Sequence, residues 1–333
     1  MKSLRVTIAS LSAVFLVGSL ITAVAPAQAG SAEKVEIATY NICRPKTCGD
    51  VGGTWPERKK KILRTIEKAK PQLLALQEVD DYDGTAKEFE AELADQGYQI
   101  APVGSDRCRP VSCANRIFYR TATFRLLPEG GIGSVEPSAF TSPDHYDDDV
   151  KDRPLGYALL EHLKTGKRIF AVSLHLPPQH KQEPKLAEQA RAARNDMAKG
   201  LPKWVDQHLA QIGGPAPIQL FMGDVNATLG KENPTPQKIW NKQGYTNAEK
   251  AKKAINTNYG TINKTGQDSK WDGFPPKPRY YNNGSPKIDV IYSKGIPKPK
   301  KYEIVLNLKK NGKFDKKYHG SDHNMVRAVI KLS

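Results

Sequence analysis

The chain has 333 residues, with 51 Lys+Arg against 35 Asp+Glu and four cysteines. That length supports one large domain or two small ones, and the charged (26%) and apolar (38%) fractions exclude wholesale disorder. A single long apolar run excludes a multispan membrane protein, and four cysteines are too few for a disulfide-dense mini-scaffold.

The apolar run opens the chain. Lys2 and Arg5 precede an apolar stretch from Ala9 to Val24, and Ala27-Gln28-Ala29 has the small-x-small form of a cleavage site. Residues 1–29 are therefore expected to be a secretory signal peptide. The rival reading, an uncleaved anchor helix, is opposed by the short apolar run and by Pro26. Removing residues 1–29 takes away Lys2 and Arg5 and no acid, which brings the net charge from +16 to +14. The remainder, 30–333, shows no repeat and no clear linker and is expected to form one domain.

Elements follow in alternation. Val35–Tyr40 has the pattern of a strand. Thr54, Pro56 and Glu57 form a capping-box start for a helix with Ile62, Leu63, Ile66 and Ala69 on one face, ended by Pro71. Leu73–Leu76 reads as a short buried strand. Thr85 and Glu88 form a second capping box before Phe89 and Leu93. Arg116–Arg120 reads as a strand, and so do Tyr157–Leu163 and Arg168–Leu174, which flank a turn at Lys164–Lys167. A helix is expected over Pro184–Leu209. Strands are expected over Ile218–Met222, Lys287–Ser293, Tyr302–Leu308 and Met325–Leu332. Gly130–Val150 and Tyr259–Ser285 are long, polar and rich in Gly or Pro, a pattern of functional or disordered loops. Strands outnumber helices and hairpins mix with crossovers, which points to an α+β layered domain.

In an export setting the cysteines should be oxidised. Cys43 and Cys48 share a C-x4-C spacing with Cys108 and Cys113, so two local disulfides are the simplest of three connectivities. A four-thiolate zinc site fits less well, because structural zinc favours shorter knuckles.

Polar residues recur at the ends of the apolar runs. Asn41 follows the first strand, Glu78 follows Leu73–Leu76, and His175 ends Arg168–Leu174. Asp224 and Asn226 follow Ile218–Met222, Asp289 lies in Lys287–Ser293, and Asp322 and His323 precede the last strand. A single such residue is ordinary turn chemistry. Six strand ends carrying Asn, Glu, His and Asp are expected to converge at one edge of a sheet stack.

Taken in order, TYN (39–41), QEV (77–79), SLH (173–175), GDVNA (223–227), IDVIYS (288–293) and SDH (321–323) resemble the endonuclease/exonuclease/phosphatase superfamily, the deoxyribonuclease I-like phosphodiesterases. The resemblance spans about residues 35–331. It implies a four-layer α/β sandwich of two mostly antiparallel sheets with helices outside. It also implies that Asn41, Glu78 and Asp322 contact a divalent cation, Mg²⁺ or else Mn²⁺ or Ca²⁺. Asp224 would orient or deprotonate water, and Asn226 would donate to phosphoryl oxygens. His175 and His323 would flank the phosphate, with Asp289 fixing the His323 tautomer and raising its pKa. An arginine near Arg153 often reaches the phosphate in nucleases of this family. Asp147–Asp149 reads as a solvated loop, and His145, His162, His180 and His319 read as surface or packing residues.

The basic charge suits a polyanion. Eight lysines lie between Lys298 and Lys317, and Trp271, Phe274, Tyr280 and Tyr281 alternate with Lys270, Lys277 and Arg279, a pattern fit to hold single-stranded nucleic acid. The expected function is an extracellular, metal-dependent nuclease acting as a monomer on DNA or RNA. The alternative is a sphingomyelinase or phospholipase C at an anionic membrane surface, for which Gly273-Phe274-Pro275 is the one candidate apolar tip. A binding module without chemistry is set aside, because every motif position carries a chemically competent residue.

Overall fold

A computed structural model describes residues 32–48, 52–80, 83–103, 113–131, 133–145, 153–180, 182–228, 233–263, 272–276 and 286–332. The expected signal peptide, Cys108, Asp147–Asp149, Lys270, Trp271, Lys277, Arg279, Tyr280 and Tyr281 lie outside these residues.

The elements run β1 (Glu33–Asn41), α1 (Pro45–Cys48), α2 (Trp55–Ala69), β2 (Leu73–Gln77), α3 (Thr85–Ala94), β3 (Tyr98–Ile100), β4 (Arg116–Arg120), β5 (Phe124–Leu126) and β6 (Gly133–Val135). They continue with β7 (Leu155–His162), β8 (Arg168–His175), α4 (Pro184–Ile212), β9 (Ile218–Asp224), α5 (Pro236–Lys242), β10 (Thr246–Asn247) and β11 (Lys253–Ile255). The last strands are β12 (Asp289–Lys294), β13 (Lys301–Ile304) and β14 (Val326–Leu332).

Two sheets form. One has the order β11-β13-β14-β1-β2-β4-β3, and the other β10-β12-β9-β8-β7-β5 with β6 also on β7. Pairing is antiparallel except for β1 with β2, β8 with β9, and β11 with β13. Alternation along each strand decides the layers. Val35, Ile37, Leu73 and Ala75 of the first sheet face Ile169, Ala171, Leu220 and Met222 of the second in one core. The intervening residues face outward. Ala38, Tyr40, Leu74 and Leu76 pack under Ile62, Leu63 and Ile66 of α2 and Phe89 and Leu93 of α3. Phe170, Val172 and Phe221 pack under Met197, Leu201 and Val205 of α4 and Trp240 of α5. The result is the four-layer α+β sandwich.

The α2 capping box is present, with Glu57 accepting from the Thr54 N–H at 2.9 Å, and Lys70 closes the helix in a left-handed conformation. Some expectations need correction. Thr85 is the first residue of α3 rather than its cap; Gly84 is the cap, and the Asp83 carboxylate accepts from the Thr85 N–H at 3.0 Å. The strand expected over Tyr302–Leu308 ends at Ile304, and Leu308 instead bridges Phe314 across a turn. The polar loop from Gly130 contains β6, which adds an edge to β7. The short elements β3, β5, β10, β11 and α5 carry too few residues to display a period. His162 and His319 are buried, the packing alternative of their expectation.

Candidate active site

The inward register that builds the core also builds the site. Thr39, Gln77 and Ser173 continue the inward rows of β1, β2 and β8 and are fully buried. The Thr39 hydroxyl donates to Gln77 Oε1 at 3.1 Å, the Gln77 amide donates to Ser173 Oγ at 3.0 Å, and that hydroxyl donates to the Leu76 carbonyl at 3.1 Å. This polar layer stitches the sheets together just below the site. One step further along, Asn41 is level with Gln77, His175 with Asp224, and Asp224 with Asp289. Five of the predicted residues or their immediate neighbours thus occupy one transverse row at the sheet ends.

Across that row the Asn41 amide donates to Glu78 Oε1 at 3.2 Å and to Asp224 Oδ2 at 3.3 Å, so it links carboxylates carried by both sheets. Glu78 also accepts from the Arg44 N–H at 2.9 Å. Asp224 Oδ1 accepts from the Asn226 N–H at 2.8 Å, while its Oδ2 lies 3.5 Å from His175 Nε2 and 3.8 Å from His323 Nε2. Asp289 Oδ2 is 2.9 Å from His323 Nδ1, and Asp322 Oδ1 is 3.8 Å from His323 Nε2. The Asn226 amide donates to the Leu176 carbonyl at 2.9 Å, and Arg153 Nη1 reaches the same carbonyl at 3.4 Å. All nine predicted site residues, Arg153 included, therefore gather at one end of the sandwich.

Local backbone supports the placement. Glu78 (φ 64°) and Asn226 (φ 48°) adopt left-handed conformations that cost a non-glycine residue about 1–2 kcal/mol. Such outliers cluster where geometry is imposed by function. Gly223 is required for another reason: a Cβ there would lie 1.8 Å from the Leu174 carbonyl oxygen.

The electrostatics follow from burial and charge. Burial, together with the Asp289 charge, pushes the Asp224 carboxyl up to about 7. Burial raises the Asp322 carboxyl, helped by the charges of Glu78 and Asp289. Burial also opposes charging of both histidines. At His175 it is joined by Arg153, His323 and Arg44, and the ring is held well below its ordinary value. At His323 the neighbouring Asp289, Asp322 and Asp224 outweigh burial and hold the ring well above that value. The two buried imidazoles are thus pushed in opposite directions.

Several supporting residues carry little sequence signal. Thr261 Oγ1 accepts from the N–H groups of Ile288 and Asp289 at 2.9 and 3.0 Å. The Asn263 amide donates to the carbonyls of Ser321 and His323 and to Asn324 Oδ1, each at 3.1 Å. Both lie in a loop whose composition announces only flexibility. Arg58 is fully buried and donates to the carbonyls of Ile42, Cys43 and Gly320. Its spacing from Ile62 and Ile66 put it on the core face of α2, and that was the signal available.

No family model matches the sequence, and no curated protein matches it. Solved structures do. An endonuclease/exonuclease/phosphatase family protein of Bacteroides thetaiotaomicron superimposes with TM-score 0.63 at 17% identity, over 91% of this chain and 99% of that one. A mannosyl-6-phosphatase of the same species gives 0.62 at 18% identity, over 90% and 100%. The human Nocturnin catalytic domain with bound sulfate gives 0.56 at 19% identity, over 90% and 94%. At these identities the likeness is one of architecture: this chain has the endonuclease/exonuclease/phosphatase fold.

Proposed function

We propose that the chain is a divalent-metal-dependent phosphoesterase, and more specifically an extracellular nuclease exported by residues 1–29. The observation that carries the reading is the cluster of Asn41, Glu78, Asp224, Asp289 and His323, in which oxygen donors meet an imidazole whose pKa is held well above its ordinary value.

The donor set suits a hard cation. Glu78, Asp322 and the Asn41 amide offer oxygens, as Mg²⁺ requires. Burial first, and neighbouring carboxylates second, hold the Asp322 and Asp224 carboxyls above their ordinary values, and a cation would offset both costs. When bound, such an ion supplies charge stabilisation to a phosphoryl group and its leaving oxygen. The residues of this chain do the rest. Asp224, ionising near neutrality, takes a proton from the attacking water. Protonated His323, held by Asp289, presents Nε2 to the charge that develops on the phosphate. Asn226, with one amide hydrogen on Leu176, has its second for a phosphate oxygen. Arg153 lies beside the same carbonyl and brings a further positive charge.

Surface charge supports a polymeric anion as substrate. Lys68 of α2 and Lys317 both lie over the Tyr318 ring, at 4.5 and 5.1 Å, and the Thr65 hydroxyl ties Tyr318 to α2 at 2.8 Å. Lys60, Arg64 and Lys68 of α2 thereby share a flank with exposed Lys316 and Lys317. That flank lies a few residues before Asp322 and His323 in the chain. Phosphate neutralisation by such residues supplies much of nucleic-acid affinity.

The test is one assay of the protein on plasmid DNA, total RNA, and sphingomyelin/phosphatidylcholine liposomes, with Mg²⁺ and with EDTA. Mg²⁺-dependent nucleic-acid cleavage, abolished in His323→Ala, is the expected result. Choline-phosphate release with nucleic acid left intact would overturn the nuclease reading.

A further inference from the structure

A second feature reaches all three expected cation contacts from one side. The Cys43–Cys48 disulfide closes the loop that follows β1. The Cys43 N–H donates to Asn41 Oδ1 at 3.0 Å, and the Arg44 N–H within the loop donates to Glu78 Oε2 at 2.9 Å. The two cysteine sulfurs and a carboxylate oxygen of Asp322 lie within 4.8 Å of one another. Both cysteines are buried. Through two backbone N–H groups and one packing contact, the loop thus sets the position of Asn41, Glu78 and Asp322 together.

Besides the disulfide, the Arg44 guanidinium pairs with the buried Asp80 carboxylate at 3.4 Å. The loop's helical part, α1, is one turn of four residues, in which the Cys48 N–H donates to the Arg44 carbonyl at 3.2 Å. One turn of helix does not persist alone, because nucleation costs more than one hydrogen bond returns. Arg58 secures the entrance by donating to the Ile42 and Cys43 carbonyls. The disulfide ties Cys48, at the end of α1, back to Cys43. Cys43 itself is left-handed (φ 52°), a conformation a free chain avoids.

We propose that the Cys43–Cys48 disulfide is the positioning element of the divalent-cation site, so that cation binding is conditional on oxidation. The inference rests on the cation reading of Asn41, Glu78 and Asp322. A dithiol reductant delivers two electrons and two protons, which convert the disulfide to two thiols while the reductant forms its own disulfide. Cys48 is then released from Cys43, and the Arg44 N–H no longer holds Glu78. Before export, in a reducing compartment, such an enzyme lacks its cation and cannot attack the polyanions around it. After export, oxidation assembles the site.

The experiment measures Mn²⁺ binding by EPR on the full chain, together with far-UV circular dichroism. The forms are oxidised, dithiothreitol-reduced and reoxidised wild type, Cys43→Ser/Cys48→Ser, Cys108→Ser/Cys113→Ser, and Glu78→Gln. Loss of a partner that orients a ligand typically weakens metal binding about 10–100-fold. That weakening is expected in the reduced wild type and in Cys43→Ser/Cys48→Ser with the native spectrum kept. It should be reversed by reoxidation and absent from oxidised Cys108→Ser/Cys113→Ser. Unchanged affinity in the reduced wild type, or in a folded Cys43→Ser/Cys48→Ser, overturns the proposal. Loss of the native spectrum on reduction overturns it too, since the disulfide would then staple the whole fold. If oxidised wild type binds no Mn²⁺, or Glu78→Gln binds it equally well, the cation reading itself fails and this inference falls with it.

Discussion

Asp289 Oδ2 lies 2.9 Å from His323 Nδ1, and both side chains are buried. Asp289 opens β12 whereas His323 lies three residues before β14, and Thr261 holds Asp289 from behind through two backbone N–H groups. The short contact orients the ring, leaving Nε2 to face the Asp224 carboxylate. It also places one of the charges that keep His323 protonated against the cost of burial.

Asp289→Asn removes that charge and keeps the shape. The His323 pKa, followed by NMR of the ring, should fall, because the group that favours the imidazolium is gone. Diesterase activity should fall about 10²–10⁴-fold, the usual range for a misoriented acid/base group. A variant with an unshifted His323 and full activity would refute the assignment.

Gly223→Ala tests how Asp224 is placed. A Cβ at 223 would sit 1.8 Å from the Leu174 carbonyl oxygen, so β8 and β9 must separate locally. Overpacking of this kind costs about 1–3 kcal/mol, readable in a denaturant titration. Activity should fall more than stability alone explains, since His175 and Asp224 are directly paired across these strands.

The lysine flank is testable without touching the site. Lys68→Glu, Lys316→Glu and Lys317→Glu together should weaken nucleic-acid binding and flatten its dependence on salt. The log-log slope is expected to change by about 0.9 for each duplex phosphate that a lysine no longer neutralises. Turnover of a small synthetic phosphodiester should stay unchanged. Equal loss on the small and the polymeric substrate would remove the flank from the binding surface.

His319 predicts an acid-side instability. Its ring is buried, donates to the Leu306 carbonyl at 3.1 Å, and lies against Phe314. Burial pushes its pKa down to about 4 from an ordinary 6.5. The unfolded chain therefore binds a proton that the native protein refuses between those values. The neutral ring's contribution is complete above pH 6.5 and is lost as pH falls toward 4, by about 3 kcal/mol. Unfolding free energies of wild type and His319→Gln, measured across pH 4–7.5, should differ in slope over that window. Parallel curves would show that His319 is not held neutral.

Ser173→Ala breaks the polar stitch between the sheets. It strands the buried Gln77 amide, which otherwise donates to Ser173 Oγ at 3.0 Å. An unsatisfied buried donor costs about 1–3 kcal/mol, which thermal unfolding will show as a lowered Tm.

The sequence alone already held most of what makes the site. Strand alternation placed Asn41, His175 and Asp224 at strand ends on the inward face, and the helix periods of α2, α3 and α4 were legible from their apolar spacing. Local chemistry is enough for such features, because a side chain's face follows from a period of two or of 3.6. What only the tertiary structure decided was which ends meet. The pairing of β8 with β9 and β12 with β9 levels His175, Asp224 and Asp289 in one row. The packing of two sheets brings Asn41 within 3.3 Å of Asp224, 183 residues away in the chain. The supports Thr261, Asn263 and Arg58 likewise act on partners 15 to 262 residues distant, beyond the reach of any local period. The raised pKa of His323 beside Asp289 was already expected from the resemblance, but the lowered pKa of His175 was hidden, because it depends on burial and on the charged groups the fold assembles around the ring.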